Sequence, residues 1–265
     1  MDSKRRPLLA ANWKQNLLWQ DIENYCEELR AELPEYFADS AEPPIDLLVC
    51  PPLCYLGLLG ALLEDSHVLS GSQLVSTMGG GAYTGEVSAQ MVADLGCDYV
   101  IVGHSERRGL FGDREESITQ RLSQAIEQDL VPILCIGENL ETRRSGRAGE
   151  HCRQQLEAQR GIISGIEPGE LVLAYEPIWA IGTGENASRD DAQEMAALVR
   201  SWFREHVSPE AAEAMPVLYG GSVKPANIAD YFSQPDIDGA LIGGASLAAA
   251  SMAQMIRACL AGMDS

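Results

Sequence analysis

Eight short apolar runs recur along the 265 residues, and a helical pattern follows each one. The runs are Leu8–Trp13, Ile45–Cys50, Val68–Gly71, Tyr99–Val102, Val131–Ile136, Leu171–Tyr175, Val217–Tyr219 and Ala240–Ile242. Most are continuous rather than alternating, the signature of strands buried on both faces. Helical spacing covers Trp19–Leu33, Leu53–Leu63, Ala89–Leu95, Glu115–Gln128, Gly149–Ile163, Arg189–His206, Pro225–Phe232 and Ala250–Leu260. Two of these carry start signals. Ser188 precedes Asp190 and Asp191, and Lys224-Pro225 sets Pro at the first helical position. No linker, repeat or low-complexity tract divides the chain. Eight strand–helix pairs therefore predict one closed parallel (β/α)8 barrel, a single domain over residues 1–265 with the barrel proper at about 8–260. An open doubly wound sheet is the rival architecture.

Charge narrows what such a barrel binds. Lys plus Arg number 19 and Asp plus Glu 39, a formal charge of −20. That argues against nucleic acid or an anionic membrane as a partner of the general surface. An anionic ligand needs positive potential built locally. The N-terminal apolar run, Leu8–Ala11, is too short for a signal-peptide core, and no stretch approaches the ~20 apolar residues of a membrane span. Seven scattered cysteines with no CxxC predict reduced thiols and a cytoplasmic location. Cys50 and Cys54 lack a second ligand pair at zinc spacing, so no metal is expected.

In a barrel, chemistry gathers where strands end and loops begin. The first strand ends in Asn12-Trp13-Lys14, the fourth in Gly103-His104-Ser105-Glu106-Arg107-Arg108 and the fifth in Cys135-Ile136-Gly137-Glu138. The sixth ends in Glu176, the seventh in Gly220-Gly221-Ser222 and the eighth in Gly243-Gly244. Glu176 closes a buried strand beside a glycine-rich loop that can fold over it, as suits a general base working away from water. Taken alone, it fits a strand-end Glu in a solvated turn equally well. Lys14 beside Trp13 suits pairing with an anion. His104 sits at a helix start, which favours a neutral imidazole that donates a hydrogen bond. The glycines after the last two strands let backbone N–H groups approach a phosphate. Together on one face, these groups predict a site.

Gly182-Thr183-Gly184-Glu185-Asn186-Ala187 matches the dinucleotide pattern GxGxxA. Six residues separate it from the preceding strand, too many for the tight turn that motif requires, so no nicotinamide or flavin is expected.

ANWKQN, GHSERR, CIGE, AYEPIWAIGTG, YGGSV and GGASL stand in the order and spacing of triosephosphate isomerases, and the chain resembles that family from about Leu8 to about Leu260. The resemblance implies a TIM barrel, usually a homodimer, that interconverts dihydroxyacetone phosphate and D-glyceraldehyde 3-phosphate in glycolysis and gluconeogenesis with no metal or cofactor. It implies Glu176 as the base and His104 as the neutral electrophile, the pairing for which this family is the standard acid–base example. It implies Lys14 and Asn12 as stabilisers of the charged enediolate, with Glu106 near Lys14. Backbone N–H groups of Gly182, Ser222 and Gly244, with Gly243 beside them, would cradle the phosphate. Pro177–Ala187 would form the mobile lid, for which the family is again the standard case, held closed through Tyr219 and Ser222. Glu138 and Trp179 would support it. The loop Met78–Glu86 would enter a partner subunit, with Tyr83 at its tip, Thr84 near the partner's Asn12 and His104, and Glu86 meeting Arg107.

Four stretches of the chain depart from the family pattern. Glu185-Asn186-Ala187 replaces the usual basic lid hinge, Gln15 a frequent Met, Ala248-Ala249 a Lys-Pro, and Leu74 an Asn. None falls on the implied catalytic set. Two other readings remain open at this stage: a barrel acting on another small phosphosugar, and a silent binding protein on the same scaffold. The second expects loss of Lys14, His104 or Glu176, all of which are present.

Overall fold

The eight strands close on themselves in sequence order, every pair parallel. They are β1 (Leu8–Asn12), β2 (Asp46–Cys50), β3 (Val68–Ser72), β4 (Tyr99–Val102), β5 (Val131–Ile136), β6 (Val172–Tyr175), β7 (Val217–Tyr219) and β8 (Gly239–Ile242). The structure is a computed structural model that describes residues 5–38, 42–167, 169–181 and 187–263. Closure pairs Leu8–Ala11 of β1 with Asp46–Val49 on one side and Gly239–Ile242 on the other. It excludes the open sheet and leaves none of these eight strands with an unpaired edge.

Continuous apolar strands are explained by two cores. Leu8, Ala10, Leu48, Ile101, Ile133, Val172, Ala174, Leu218 and Leu241 fill the barrel interior. Their neighbours Leu9, Ala11, Leu47, Val49, Val100, Leu134 and Leu173 face outward against the helices. Alternation along each strand sends side chains to two apolar layers, so it leaves no polar–apolar alternation in the sequence.

The helices are α1 (Trp19–Glu32), α2 (Leu56–Leu62), α3 (Ala89–Asp94), α4 (Ser105–Leu110), α5 (Glu115–Ile126), α6 (Leu140–Arg144), α7 (Ala148–Ile163), α8 (Arg189–His206), α9 (Pro209–Ala214), α10 (Ile228–Phe232) and α11 (Ala249–Met263). The start signal of α8 acts as a capping box. Ser188 Oγ accepts from the Asp191 N–H at 3.1 Å, and Asp191 Oδ2 accepts from the Ser188 N–H at 3.1 Å. Pro225 does not begin a helix. Asn227 Oδ1 accepts from the Lys224 N–H at 2.7 Å and Asn227 Nδ2 donates to Ser222 O at 3.1 Å, which organises residues 222–227 as a turn and delays α10 to Ile228. The Leu53–Leu63 run divides into a 3-10 turn at Leu53–Tyr55 and then α2. No helix among the described residues is long and apolar enough to cross a membrane.

Arg108 fastens the site end of β4. Its Nε donates to Gly103 O at 2.7 Å, its Nη2 to Cys135 O at 3.2 Å, and its Nη1 meets Glu115 on α5. One guanidinium thus ties the ends of β4 and β5 to a helix and fixes the loop that carries His104.

Candidate active site

Glu176 follows β6 directly and is 2% exposed. Its N–H donates to Ile136 O at 2.7 Å, extending the β5–β6 ladder by one residue, so the backbone beneath the carboxylate is held by the barrel. Oε2 accepts from the Ser105 N–H at 2.8 Å and Oε1 from the Ser105 hydroxyl at 3.1 Å. His104 Nε2 lies 3.1 Å from the same Oε1. Glycines on both neighbouring strands make room. A Cβ on Gly137 would sit 1.8 Å from Glu176 O, and one on Gly220 would sit 2.9 Å from Glu176 Cγ. Below the carboxylate, burial and then the charge of Glu176 push the Cys135 thiol well above its ordinary range, so it stays neutral.

His104 is the N-cap of α4, and its Nδ1 accepts from the Glu106 N–H at 3.2 Å. A nitrogen that accepts carries no proton. The ring is therefore the neutral tautomer with its hydrogen on Nε2, aimed at the carboxylate and the cavity.

Lys14 lies just past β1 in the left-handed region, at φ 52°. For a residue with a Cβ that conformation is costly and persists only where neighbours enforce it. Asn12 Oδ1 accepts from the Lys14 N–H at 3.1 Å, and Gln73 Nε2 donates to Lys14 O at 2.9 Å and to Cys50 O at 2.9 Å. The ammonium meets Glu106 Oε1 at 2.7 Å. A Cβ on Gly243 would lie 3.3 Å from Lys14 Cε, so the glycine after β8 gives the lysine stem its passage.

These side chains share one cavity of about 630 Å³. Asn12, Lys14, His104, Glu106, Glu176, Ser222, Gly243 and Gly244 all line it, with Ile181 from the loop after β6. Gly182 lies outside the described residues, as do the other residues of the GxGxxA stretch before Ala187. Pro177 follows Glu176, and Trp179 forms a 3-10 turn with Ile178 and Ala180. Trp179 Nε1 donates to Glu138 Oε1 at 3.0 Å, and the Tyr175 hydroxyl donates to the same oxygen at 3.1 Å. Glu138 is fully buried. Burial and then that carboxylate push the Tyr175 hydroxyl far up, which keeps it a donor. At the loop's other end, Ala187 O accepts from the Tyr231 hydroxyl at 2.7 Å, and Tyr231 stacks on Tyr219 at 4.1 Å between ring centroids.

Other sequence-chosen residues lie away from this cavity. Tyr83, Thr84 and Glu86 are exposed on the connection between β3 and α3. Arg107 is clasped by Asp113, at 2.9 and 3.3 Å, and its guanidinium lies over the Phe111 ring.

Sequence reasoning passed over two residues that position this site. Ser105, given no role of its own in the sequence, holds both oxygens of Glu176. Gln73, which no motif marked, bridges the loop after β1 and the last residue of β2. Ser105 was traceable: it adjoins His104 in GHSERR. Gln73 has no local signal, because its partners lie 59 and 23 residues away.

Moving a hydrogen between adjacent carbons requires a base and, within reach of the same substrate, a donor for the oxygen that becomes negative. A buried carboxylate facing an Nε2–H at one mouth of a (β/α)8 barrel supplies both, the equipment an aldose–ketose isomerase needs. Comparison with known proteins narrows the class. The model of the family described as triosephosphate isomerase matches residues 7–259. The triosephosphate isomerase of Hahella chejuensis (strain KCTC 2396) is 44% identical over 257 residues, 97% of this chain and 99% of that protein. That of Symbiobacterium thermophilum (strain DSM 24528 / JCM 14929 / IAM 14863 / T) is 43% identical over 254 residues, 96% of this chain and 97% of that protein. The chain belongs to the triosephosphate isomerase family.

Proposed function

We propose that the chain interconverts dihydroxyacetone phosphate and D-glyceraldehyde 3-phosphate, with Glu176 carrying the proton between the two carbons. The observation that supports this most directly is the 3.1 Å approach of His104 Nε2 to Glu176 Oε1 inside the cavity that Lys14 also lines. Before substrate enters, the base is engaged by Ser105 and His104. The substrate's carbonyl and hydroxyl oxygens take over the His104 donor. That weakens the hold on the carboxylate and lets it turn from Ser105 toward the carbon. Glu176 then removes the proton, an enediolate forms, and Nε2–H of His104, the Lys14 ammonium and the Asn12 amide stabilise the developing negative oxygen. Backbone N–H groups at Ser222, Gly243, Gly244 and Gly182 receive the phosphate. Glu138 anchors Trp179 at the start of the loop, while Tyr219 and Ala187 stand at its end. Closure excludes water, in which an enediol phosphate eliminates its phosphate. The seven cysteines are unpaired and six are buried, which suits a reducing cytoplasm.

A coupled assay on the purified protein, run against a panel of three- to six-carbon phosphosugars, tests the assignment. The expected result is triose phosphate turnover with the highest kcat/KM of the panel. Preference for a longer phosphosugar would overturn it.

The working enzyme is a two-fold homodimer in this reading. A second cleft of about 350 Å³ shares Asn12, Lys14, His104 and Glu106 with the first and is walled by Leu53, Leu74 and Phe111. Phe111 is 67% exposed and the neighbouring Leu110 78%, a cost in water that a partner's loop removes. Tyr83 of one subunit fills the cleft of the other, and the partner's Glu86 joins Asp113 at Arg107. Tyr83→Asp is expected to weaken the dimer by about 30-fold or more, the loss typical of a buried aromatic anchor, and activity falls with it. Sedimentation paired with activity measurement at micromolar protein checks this. A fully active wild-type monomer would refute the dimer and the role of the loop.

A further inference from the structure

The chain contains sixteen arginines but only three lysines, Lys4, Lys14 and Lys224. Both lysines among the described residues, Lys14 and Lys224, line the same cavity. We infer that Lys224 is a substrate-binding residue of that cavity, a mobile cation that draws in and holds the phosphate dianion. The inference rests on the isomerase reading for its substrate but not for its test.

Charge balance carries the argument. Among the described residues, four formally charged side chains line the cavity: Lys14 and Lys224 against Glu106 and Glu176. Lys14 is engaged with Glu106 at 2.7 Å. Lys224 has no carboxylate within ion-pairing distance among the described residues, although acidic side chains outnumber basic ones two to one in the chain. Without Lys224 the described side chains lining the cavity would sum to a net negative charge, inside a molecule of charge −20, and would oppose the attraction that the backbone N–H groups exert on a dianion.

Placement supports the role. Ser222, at the end of the turn after β7, and Lys224 are held together by Asn227, whose Oδ1 takes the Lys224 N–H at 2.7 Å and whose Nδ2 gives to Ser222 O at 3.1 Å. The backbone is fixed while the four-carbon side chain is exposed. Lysine suits this better than arginine. A compact ammonium with three rotatable donors can follow a phosphate as it enters, whereas a guanidinium fork demands one planar geometry.

The test compares wild type with Lys224→Ala, Lys224→Glu and Lys224→Arg. Titration calorimetry reads the affinity for inorganic phosphate, and steady-state kinetics read KM and kcat at 20 and 200 mM salt. Lys224→Ala is expected to weaken phosphate binding and raise KM about three- to tenfold at low salt, with kcat changed by less than twofold, because one screened charge acts on ground and transition states alike. Lys224→Glu weakens both further, Lys224→Arg recovers most of the loss, and the gap closes at high salt. Unchanged phosphate affinity and KM in Lys224→Ala at low salt would return Lys224 to the ordinary solvated surface and overturn the inference. Phosphate affinity does not depend on turnover. A protein that lacks isomerase activity yet loses phosphate affinity in Lys224→Ala would refute the substrate assignment and leave this inference standing.

Discussion

Glu176→Gln is expected to leave the barrel folded and to lower kcat by about 10²–10⁴, the contribution usual for a positioned proton-transfer group. The substitution keeps the side chain's length and volume, which matters because Gly220 leaves little room around Cγ. It removes the basicity. It also disturbs a set of donors. Ser105 N–H and His104 Nε2–H both point at carboxylate oxygens, and the Glu106 N–H on Nδ1 prevents the imidazole from switching tautomer to accept. An amide offers one oxygen and one NH₂, so one backbone or ring donor faces another donor. That costs about 1–3 kcal/mol, offset in part because a buried charge is gone. The variant therefore melts near the wild type while turnover collapses. A thermal melt and a coupled assay on the same preparation read the two quantities. Near-normal turnover in a folded variant would remove Glu176 from the reaction.

Legibility followed the range of the interactions. The strands were readable because a strand buried on both faces makes a continuous apolar run, and β4, β5 and β7 have the bounds their sequence predicts. Long amphipathic helices such as α8 were readable for the same local reason. The short helices were not. α4, α6 and α9 span six, five and six residues, too few for a period to emerge, and α4 is made of the same residues that form the site. Pro225 misled because an asparagine two residues on captured the Lys224 N–H. Motif reading collected the cavity-lining residues Asn12, Lys14, His104 and Glu176, since each ends a strand and all strands run the same way. It could not supply what lies between them. That Lys14 adopts a left-handed backbone, that the Nδ1 of His104 is occupied, and that Gln73 joins the loop after β1 to the end of β2 are facts of tertiary geometry.

Lys14→Ala is expected to raise KM and lower kcat together, with kcat/KM reduced by about 10³ or more. Loss of one preorganised donor to a developing oxyanion typically costs about 10²–10³ in kcat, and the loss of ground-state attraction multiplies it. The local backbone does not relax to compensate. Alanine also has a Cβ, and the Asn12 and Gln73 hydrogen bonds that enforce φ 52° involve only the Lys14 backbone. Position 14 therefore stays where it is, without its ammonium. Glu106 then loses its partner at 2.7 Å and stands beside Glu176 as a second uncompensated carboxylate facing the substrate. Lys224 alone cannot balance both. Restoring the charge as Lys14→Arg is expected to recover KM better than kcat, because the passage past Gly243 is cut for a narrow stem and a planar guanidinium cannot bring its charge to the same point. The informative comparison is between kcat and KM across the two variants. If Lys14→Ala raised KM and left kcat untouched, the ammonium would be binding substrate and transition state equally, and its place in the stabilisation of the enediolate would be lost.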